Sequence, residues 1–373
     1  MRMVIFGLTV TSSWGNGHAT LWRGLIRALG GLGWSVSFFE RNTPYYAGAR
    51  DLDHLDGGNV VLYPEWEDIR HVAEQAIGQS DVVIITSYCP DAVEASRLAQ
   101  QACRGLKVFY DLDTPVTLAR IEQGLRPAYY GPEGLRDFDL VLSYTGGTAI
   151  DALKALLGAR RVLPLYGHVD PERHRPAEPR AEFAGDLSYL GTYAADRQAG
   201  VEKLLVRTAA RLPDHRFVIG GAQYPHEFPW GENIFFVRHL PPADHPAFFC
   251  SSRLTLNVTR EAMAKRGWCP SGRLFEAAAC GAAIVSDTWP GLSSFFQPGS
   301  EIILADTTDD VVAAVGLPDS EVDAIRRRAR ERVLDEHTSA QRARELDRLL
   351  SDSLQGLTAG QGLTAGEPLK EAI

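Results

Sequence analysis

The stretch Cys269-Pro270-Ser271-Gly272-Arg273-Leu274-Phe275-Glu276-Ala277-Ala278-Ala279-Cys280-Gly281-Ala282-Ala283-Ile284-Val285-Ser286-Asp287 decides how the rest of the chain is read. Pro-Ser-Gly opens a helix, Gly281 closes it, and the apolar run 283–286 reads as a short buried strand. A helix start carries free N–H groups and the positive end of the helix dipole, which suits an anionic diphosphate. Arg273 adds a planar fork for phosphate oxygens. Glu276, one turn further in, suits a diol such as a ribose 2′,3′ pair. With Ser271 and Gly272 these residues form a candidate site for a nucleoside diphosphate. The competing reading is an ordinary helix N-terminus whose Arg273 and Glu276 make a surface ion pair at i,i+3.

Outward from this stretch, short apolar runs alternate with helical spacing. Strand-like runs stand at 3–8, 35–39, 59–63, 82–86, 107–111 and 140–143, and helical spacing at 21–32, 69–77 and 92–103. Such alternation predicts parallel sheets covered on both faces. A further short run at 161–165 leads into Tyr166-Gly167-His168-Val169-Asp170-Pro171 and a proline- and charge-rich segment to residue 180, which reads as a linker. The alternation resumes at 187–190, 216–220, 234–237, 254–258, 283–286 and 302–305. The expected architecture is α/β: two doubly wound, Rossmann-like domains facing across a cleft, at 1–168 and 169–350. The last helix is expected from 339 to about 350. Beyond it Gln355-Gly356-Leu357-Thr358-Ala359-Gly360 recurs verbatim at 361–366. Two short glycine-containing copies cannot bury a core, so 351–373 is expected to be a flexible tail.

Several motifs in the second half occur in an order that resembles a known family. They are Tyr189-Leu190-Gly191-Thr192-Tyr193-Ala194-Ala195-Asp196-Arg197-Gln198, then Phe217-Val218-Ile219-Gly220-Gly221-Ala222-Gln223-Tyr224-Pro225, residues 257–261, the 271–281 segment, Pro298-Gly299-Ser300-Glu301-Ile302 and Glu336-His337-Thr338. From about 187 to 350 the chain resembles the C-terminal half of GT-B glycosyltransferases, and within the group 1 enzymes the CgeB-like (spore maturation protein CgeB) branch. The first half resembles them only as a fold. Many group 1 enzymes carry two glutamates eight positions apart, the first toward the donor hexose and the second on the ribose. Here the second corresponds to Glu276, but Trp268 stands in place of the first. The donor sugar therefore does not carry over from families with both acids.

Composition agrees with a folded two-domain chain. It has 373 residues, 45% hydrophobic and 23% charged. A net charge of −9 argues against a nucleic-acid polymer as partner. No apolar run approaches the roughly 20 residues that span a bilayer. Residues 1–8 read as a first strand rather than a signal peptide. The five cysteines are scattered without a Cys-x-x-Cys spacing, so structural zinc and disulfides are not expected and a cytoplasmic location is. Oligomeric state stays open.

In doubly wound sheets, ligands bind beyond the carboxyl ends of the strands. After the first strand comes a loop with Gly15, Asn16 and Gly17, then His18. Gly15-x-Gly17 with Glu40 imitates part of a dinucleotide fingerprint, but Thr20 replaces its third glycine. The resemblance instead makes this an acceptor loop and His18 a general base, against a reading in which His18 packs at its helix start. Asp113 is the second catalytic candidate, and Asp111-x-Asp113 imitates a metal pair although the resemblance is to a metal-independent fold. In the second half Arg197 and Arg260 join Arg273 as diphosphate candidates. Thr192, Gly221, Arg238 and His239 join Glu276 as nucleoside candidates. Each arginine has an alternative reading as a solvated ion pair, and one of the three is expected to be one. The function expected is transfer of a hexose-type sugar from a nucleotide-diphosphate donor, the co-substrate, to a small-molecule, glycan or protein acceptor, without a cofactor. The alternatives are a nucleotide-sugar epimerase or hydrolase of the same fold, or a non-catalytic nucleotide-sugar-binding protein.

Overall fold

The computed structural model describes residues 1–358 and divides into two compact units. The first runs from Met1 to Tyr166 and includes the chain from Arg342 on; the second is Gly167–Gln341.

The first unit holds a seven-stranded sheet of β1 (Arg2–Gly7), β2 (Ser35–Arg41), β3 (Gly58–Tyr63), β4 (Val82–Thr86), β5 (Leu106–Asp111), β6 (Leu140–Ser143) and β7 (Val162–Pro164). Every pairing is parallel and the order is β3-β2-β1-β4-β5-β6-β7. All five residues of β4 are buried, as an unbroken Val-Val-Ile-Ile-Thr run requires of a strand covered on both faces. The order reverses between β1 and β4, so the loops after those two strands frame the crevice of this sheet.

The loop after β1 is shaped by Glu40, which is 1% exposed at the end of β2. Its carboxylate accepts from the Thr9 hydroxyl (2.8 Å), the Val10 amide (2.7 Å) and the Thr11 amide (3.0 Å) and hydroxyl (2.5 Å). A dinucleotide fingerprint needs that acid free for a ribose, and here the loop consumes it. The following helix, Gly17–Gly31, starts four residues before the expected 21 because the Asn16 side chain caps it, accepting from the His18 amide at 3.1 Å.

The second unit holds β8 (Gly185–Leu190), β9 (Phe217–Gly221), β10 (Ile234–Arg238), β11 (Ser252–Asn257), β12 (Ala283–Ser286) and β13 (Ile303–Leu304), again all parallel, in the order β10-β9-β8-β11-β12-β13. Its switch point lies between β8 and β11. The segment expected as a linker contains the division between the two units, and its start is packed while most of 171–180 is exposed. His168, Val169, Asp170 and His174 are buried, and Val169 exchanges backbone bonds with His337 (2.9 Å) and Ser339 (2.8 Å). The basic helix Asp319–Glu336 is likewise tied down. Arg326, Arg328 and Arg330 donate to the carbonyls of Arg253, Ser300 and Ala279, and Arg332 bridges Glu301 and Glu336.

The last helix, Ser339–Thr358, runs past the expected end near residue 350, so the tail expected from 351 begins as helix. Within the first unit it is held by Trp34 Nε1 donating to Asp347 (2.8 Å) and Arg161 to the Ser353 hydroxyl (3.0 Å), with Leu346 and Leu350 buried. Residues 359–373, the rest of that tail, lie outside the described residues. Among the described residues no helix is long and apolar enough to cross a membrane.

Removing the Glu40 carboxylate strands several buried donors at once. Glu40→Ala is expected to cost about 2–4 kcal/mol of stability in a denaturant titration, since one stranded donor costs about 1–3 kcal/mol. A loss below about 0.5 kcal/mol would show that the loop holds itself.

Candidate functional site

At the switch point of the second sheet the chain leaves β8 through Gly191 and Thr192 and leaves β9 through Gly221. The two strand ends run close together. A Cβ on Gly221 would fall 2.0 Å from the Gly191 carbonyl oxygen, and its φ of 156° suits glycine. Arg197 then comes off the loop after β8, and its guanidinium donates to the Thr192 carbonyl at 2.5 Å. Its Nε is buried with no hydrogen-bond partner.

The helix Gly272–Ala279 lies between β11 and β12 and carries five buried apolar side chains that fix it against the core. Ser271 takes the N-cap position with extended backbone, but its hydroxyl does not cap. Among the described residues nothing accepts from the Gly272 and Arg273 amides. Arg273 is half-buried and makes no hydrogen bond or ion pair with a described residue. Burial first, and then the charge of Arg197, push its pKa down, while Tyr189, Glu276 and Tyr224 pull it up. Two neighbouring cations, neither in an ion pair with a described residue, beside open helix amides make a candidate anion site.

The remaining donor-side residues separate. Arg260 pairs with Asp196 at 2.8 Å and is the arginine of the three that is committed to an ion pair. Glu276, expected either to take a ribose diol or to make an ion pair with Arg273, makes no ion pair with Arg273 and lies 4.0 Å from His174 Nε2. Thr192 offers its carbonyl to Arg197, and its exposed hydroxyl is not in the bond. Arg238 and His239 are exposed at the end of β10. His239 adopts φ 64° and its amide donates to the Gly221 carbonyl at 2.8 Å. Trp268 follows Gly267 with φ 42°, and its amide donates to the Pro290 carbonyl at 2.7 Å. A Cβ on Gly291 would sit 2.5 Å from the indole, so the ring packs directly on that glycine.

The pattern of residues missed Tyr189, Tyr224, His174 and His245. Tyr224 is felt by both Arg197 and Arg273, and its hydroxyl donates to the Gly191 carbonyl at 3.0 Å. His174 sat in a segment read as linker. His245 opens the helix His245–Ser251, with no spacing to mark it. The ligand atoms of His174, His245 and Glu276 all lie within 4.8 Å of one another.

In the first unit a second cluster stands at the β1/β4 switch point. His18 is in the first turn of its helix, and its ring centroid is 6.2 Å from that of Tyr88. Burial lowers the His18 pKa, and the nearby Asp113 carboxylate raises it in part. Tyr88 follows β4 with φ 64°, and its hydroxyl donates to Asp113 at 2.9 Å. A bulky residue at positive φ stores strain, which the loop maintains here beside the candidate base. Gly15 holds φ 59°, and Asn16 is buried as the helix cap, so neither offers a side chain to a ligand. Gly17, the third acceptor-loop residue, opens that helix in a position where a Cβ would meet nothing. Asp111 is fully buried and accepts from Tyr130 (2.8 Å), Thr117 (3.2 Å) and the Asp113 amide (3.1 Å). Burial pushes its carboxyl up to about 6 against those bonds. Both of its oxygens already accept hydrogen bonds inside the fold.

With the geometry in place, comparison with known proteins adds the following. Residues 197–348 match the family described as glycosyl transferase-like. Comparison with curated proteins gives no significant match. Among solved structures, sucrose-phosphate synthase from Thermosynechococcus elongatus is 14% identical with a TM-score of 0.66, covering 96% of this chain and 100% of that one. Anabaena HepE, solved with UDP and glucose, is 11% identical with a TM-score of 0.66 over 94% of this chain and all of its own. A glycosyltransferase from Rickettsia africae is 11% identical with a TM-score of 0.64 over 95% and 98%. At this identity the likeness shows the fold. The chain has the GT-B fold, built from two Rossmann-like parallel-sheet units.

The anion site makes a graded prediction. Arg273→Ala should weaken UDP binding in calorimetry by about 1.5–3 kcal/mol, the range for hydrogen bonds to charged groups. Arg260→Ala should cost much less, because that side chain is already engaged by Asp196. Equal losses in the two variants would dissolve the distinction.

Proposed function

We propose that this protein is a glycosyltransferase that moves a hexose-type sugar from a nucleoside-diphosphate donor to a small-molecule, glycan or protein acceptor. The observation that carries the reading is the Arg197–Arg273 pair at the open N-terminus of the helix Gly272–Ala279. Two neighbouring cations outside any ion pair and free amides suit a diphosphate, and they are most valuable when that diphosphate gains charge as a leaving group. Glu276, one turn along, is the acceptor for ribose hydroxyls. Gly221, with the exposed Arg238 and His239 brought beside it by the β9/β10 pairing, borders the base. The family match over 197–348 supports a sugar-nucleotide site in this unit, and the order of motifs supports the CgeB-like branch.

In the first unit His18 is the base toward the acceptor hydroxyl, with Asp113 stabilising the imidazolium that forms and Tyr88 holding Asp113. The cationic groups that balance the leaving diphosphate belong to the protein, so the reaction needs no divalent metal and no cofactor. The five cysteines are all free, which fits a reducing, cytoplasmic setting. Trp268 in place of an acid removes a carboxylate from the hexose side, so the donor sugar is selected by packing more than by charge.

The test is transfer of label from a panel of UDP-, GDP- and dTDP-sugars in EDTA. Turnover that returns only with manganese or magnesium would contradict the metal-independent reading. His18→Ala should reduce kcat by roughly 10²–10⁴-fold with donor affinity nearly unchanged. Because burial lowers the His18 pKa, the imidazole stays neutral, and so able to accept a proton, throughout the neutral range. Activity in the wild type should therefore fall only as pH drops through a value below the ordinary 6.5. Near-wild-type transfer by the variant, with the acid limb intact, would reduce His18 to packing.

A further inference from the structure

Beside the anion site two histidines that sugar transfer does not use, His174 and His245, meet Glu276. His174 is 6% exposed, and its Nε2 is buried with no hydrogen-bond partner. A buried, unpaired ring nitrogen is costly unless something occupies it. It points toward the Glu276 carboxylate at 4.0 Å, too far for a hydrogen bond and close for two groups that share a ligand. His245 completes the group, its ring 6.3 Å from that of His174 between centroids. Burial above all keeps His245 neutral, and a neutral imidazole offers one ring nitrogen as a lone-pair donor.

We propose that His174, His245 and Glu276 form a binding site for a divalent transition metal of the zinc class, and that metal and nucleotide ribose compete for the Glu276 carboxylate. The second clause rests on the ribose reading above; the first does not. The three ligand atoms lie within 4.8 Å of one another, so side-chain shifts of under an ångström bring them to the bond lengths of about 2.0–2.2 Å that zinc takes from nitrogen and oxygen. Two imidazoles and one carboxylate favour zinc, nickel or cobalt over magnesium and calcium, which prefer oxygen. Three protein ligands leave one tetrahedral position for water. Arg273, whose charge reaches His245, works against a dication and keeps the metal exchangeable.

The consequence is regulatory: a reaction that needs no metal would be inhibited by this one, competitively with the nucleotide. The experiment is a titration of zinc ion alone into the chelator-treated full chain, followed by competition with a chromophoric chelator and by the thermal midpoint. One stoichiometric site is expected in the wild type. It should be at least about tenfold weaker in both His174→Ala and His245→Ala, since loss of even an outer partner costs 10–100-fold. Circular dichroism of each variant, and their UDP affinity in metal-free buffer, shows that the unit is folded. Absence of a stoichiometric site in the wild type, or zinc binding that both variants retain, would overturn the proposal. A saturating UDP addition should weaken zinc binding, whereas 2′,3′-dideoxy UDP should not. Zinc binding indifferent to UDP would refute the shared carboxylate, and with it the ribose role of Glu276, while leaving the metal site in place.

Discussion

Two guanidinium groups that repel each other, neither held in an ion pair with a described residue, set the constraint on which the candidate site of the second unit depends. Arg197 and Arg273 sit close enough that one lowers the pKa of the other, and an Arg197 nitrogen is buried without a partner. A fold optimised only for stability would pair such groups or leave them in water. The cost is tolerated because the elements around them are rigid. The Gly272–Ala279 helix buries Leu274, Phe275 and Ala277 to Ala279, and Phe275 packs on Phe296 with ring centroids 6.0 Å apart. An anion that satisfies both arginines and the open amides returns that energy as binding. The unit should therefore be more stable with nucleotide than without it.

The same logic orders the first unit around a different need. Its crevice loop is built by Glu40 rather than by a ligand, so the loop is formed in advance and presents His18 at a fixed place. Asp111 is a fully buried carboxyl wired to Tyr130 and Thr117, and it anchors the turn from which Asp113 projects. Asp113 in turn takes the Tyr88 hydroxyl. The strained Tyr88 backbone persists because this chain of bonds over-determines it. One unit thus carries two neighbouring guanidinium groups outside any ion pair and the other a preformed arrangement of histidine, tyrosine and carboxylate.

What was legible in the sequence was whatever repeats with the strand or helix period. Runs such as Val82 to Thr86 and Ala283 to Ser286 lie on observed strands because a buried parallel strand must be apolar throughout. The helix start at Ser271 was readable for the same local reason. Long-range partners were not. Nothing in the spacing of Asp196 and Arg260 announces their ion pair, and nothing marks Glu40 as the acceptor for residues some thirty positions earlier. The segment 166–180 looked like a linker because proline and charge dominate it. The burial of its first residues, His168 to Asp170, accompanies a backbone bridge from Val169 to Thr338 that only the tertiary fold creates. His174 and His245 are 71 positions apart, so their meeting at Glu276 could not be read from the chain.

The most direct measurement varies the ligand rather than the protein. Uridine, UMP and UDP are titrated in turn into the wild type and into the Arg197→Ala/Arg273→Ala double variant. If the two arginines and the helix amides are a diphosphate site, each added phosphate strengthens binding to the wild type, and the gain from UMP to UDP largely disappears in the double variant while uridine binds both alike. An equal gain from UMP to UDP in the two proteins would contradict the account, because the diphosphate would then be held elsewhere.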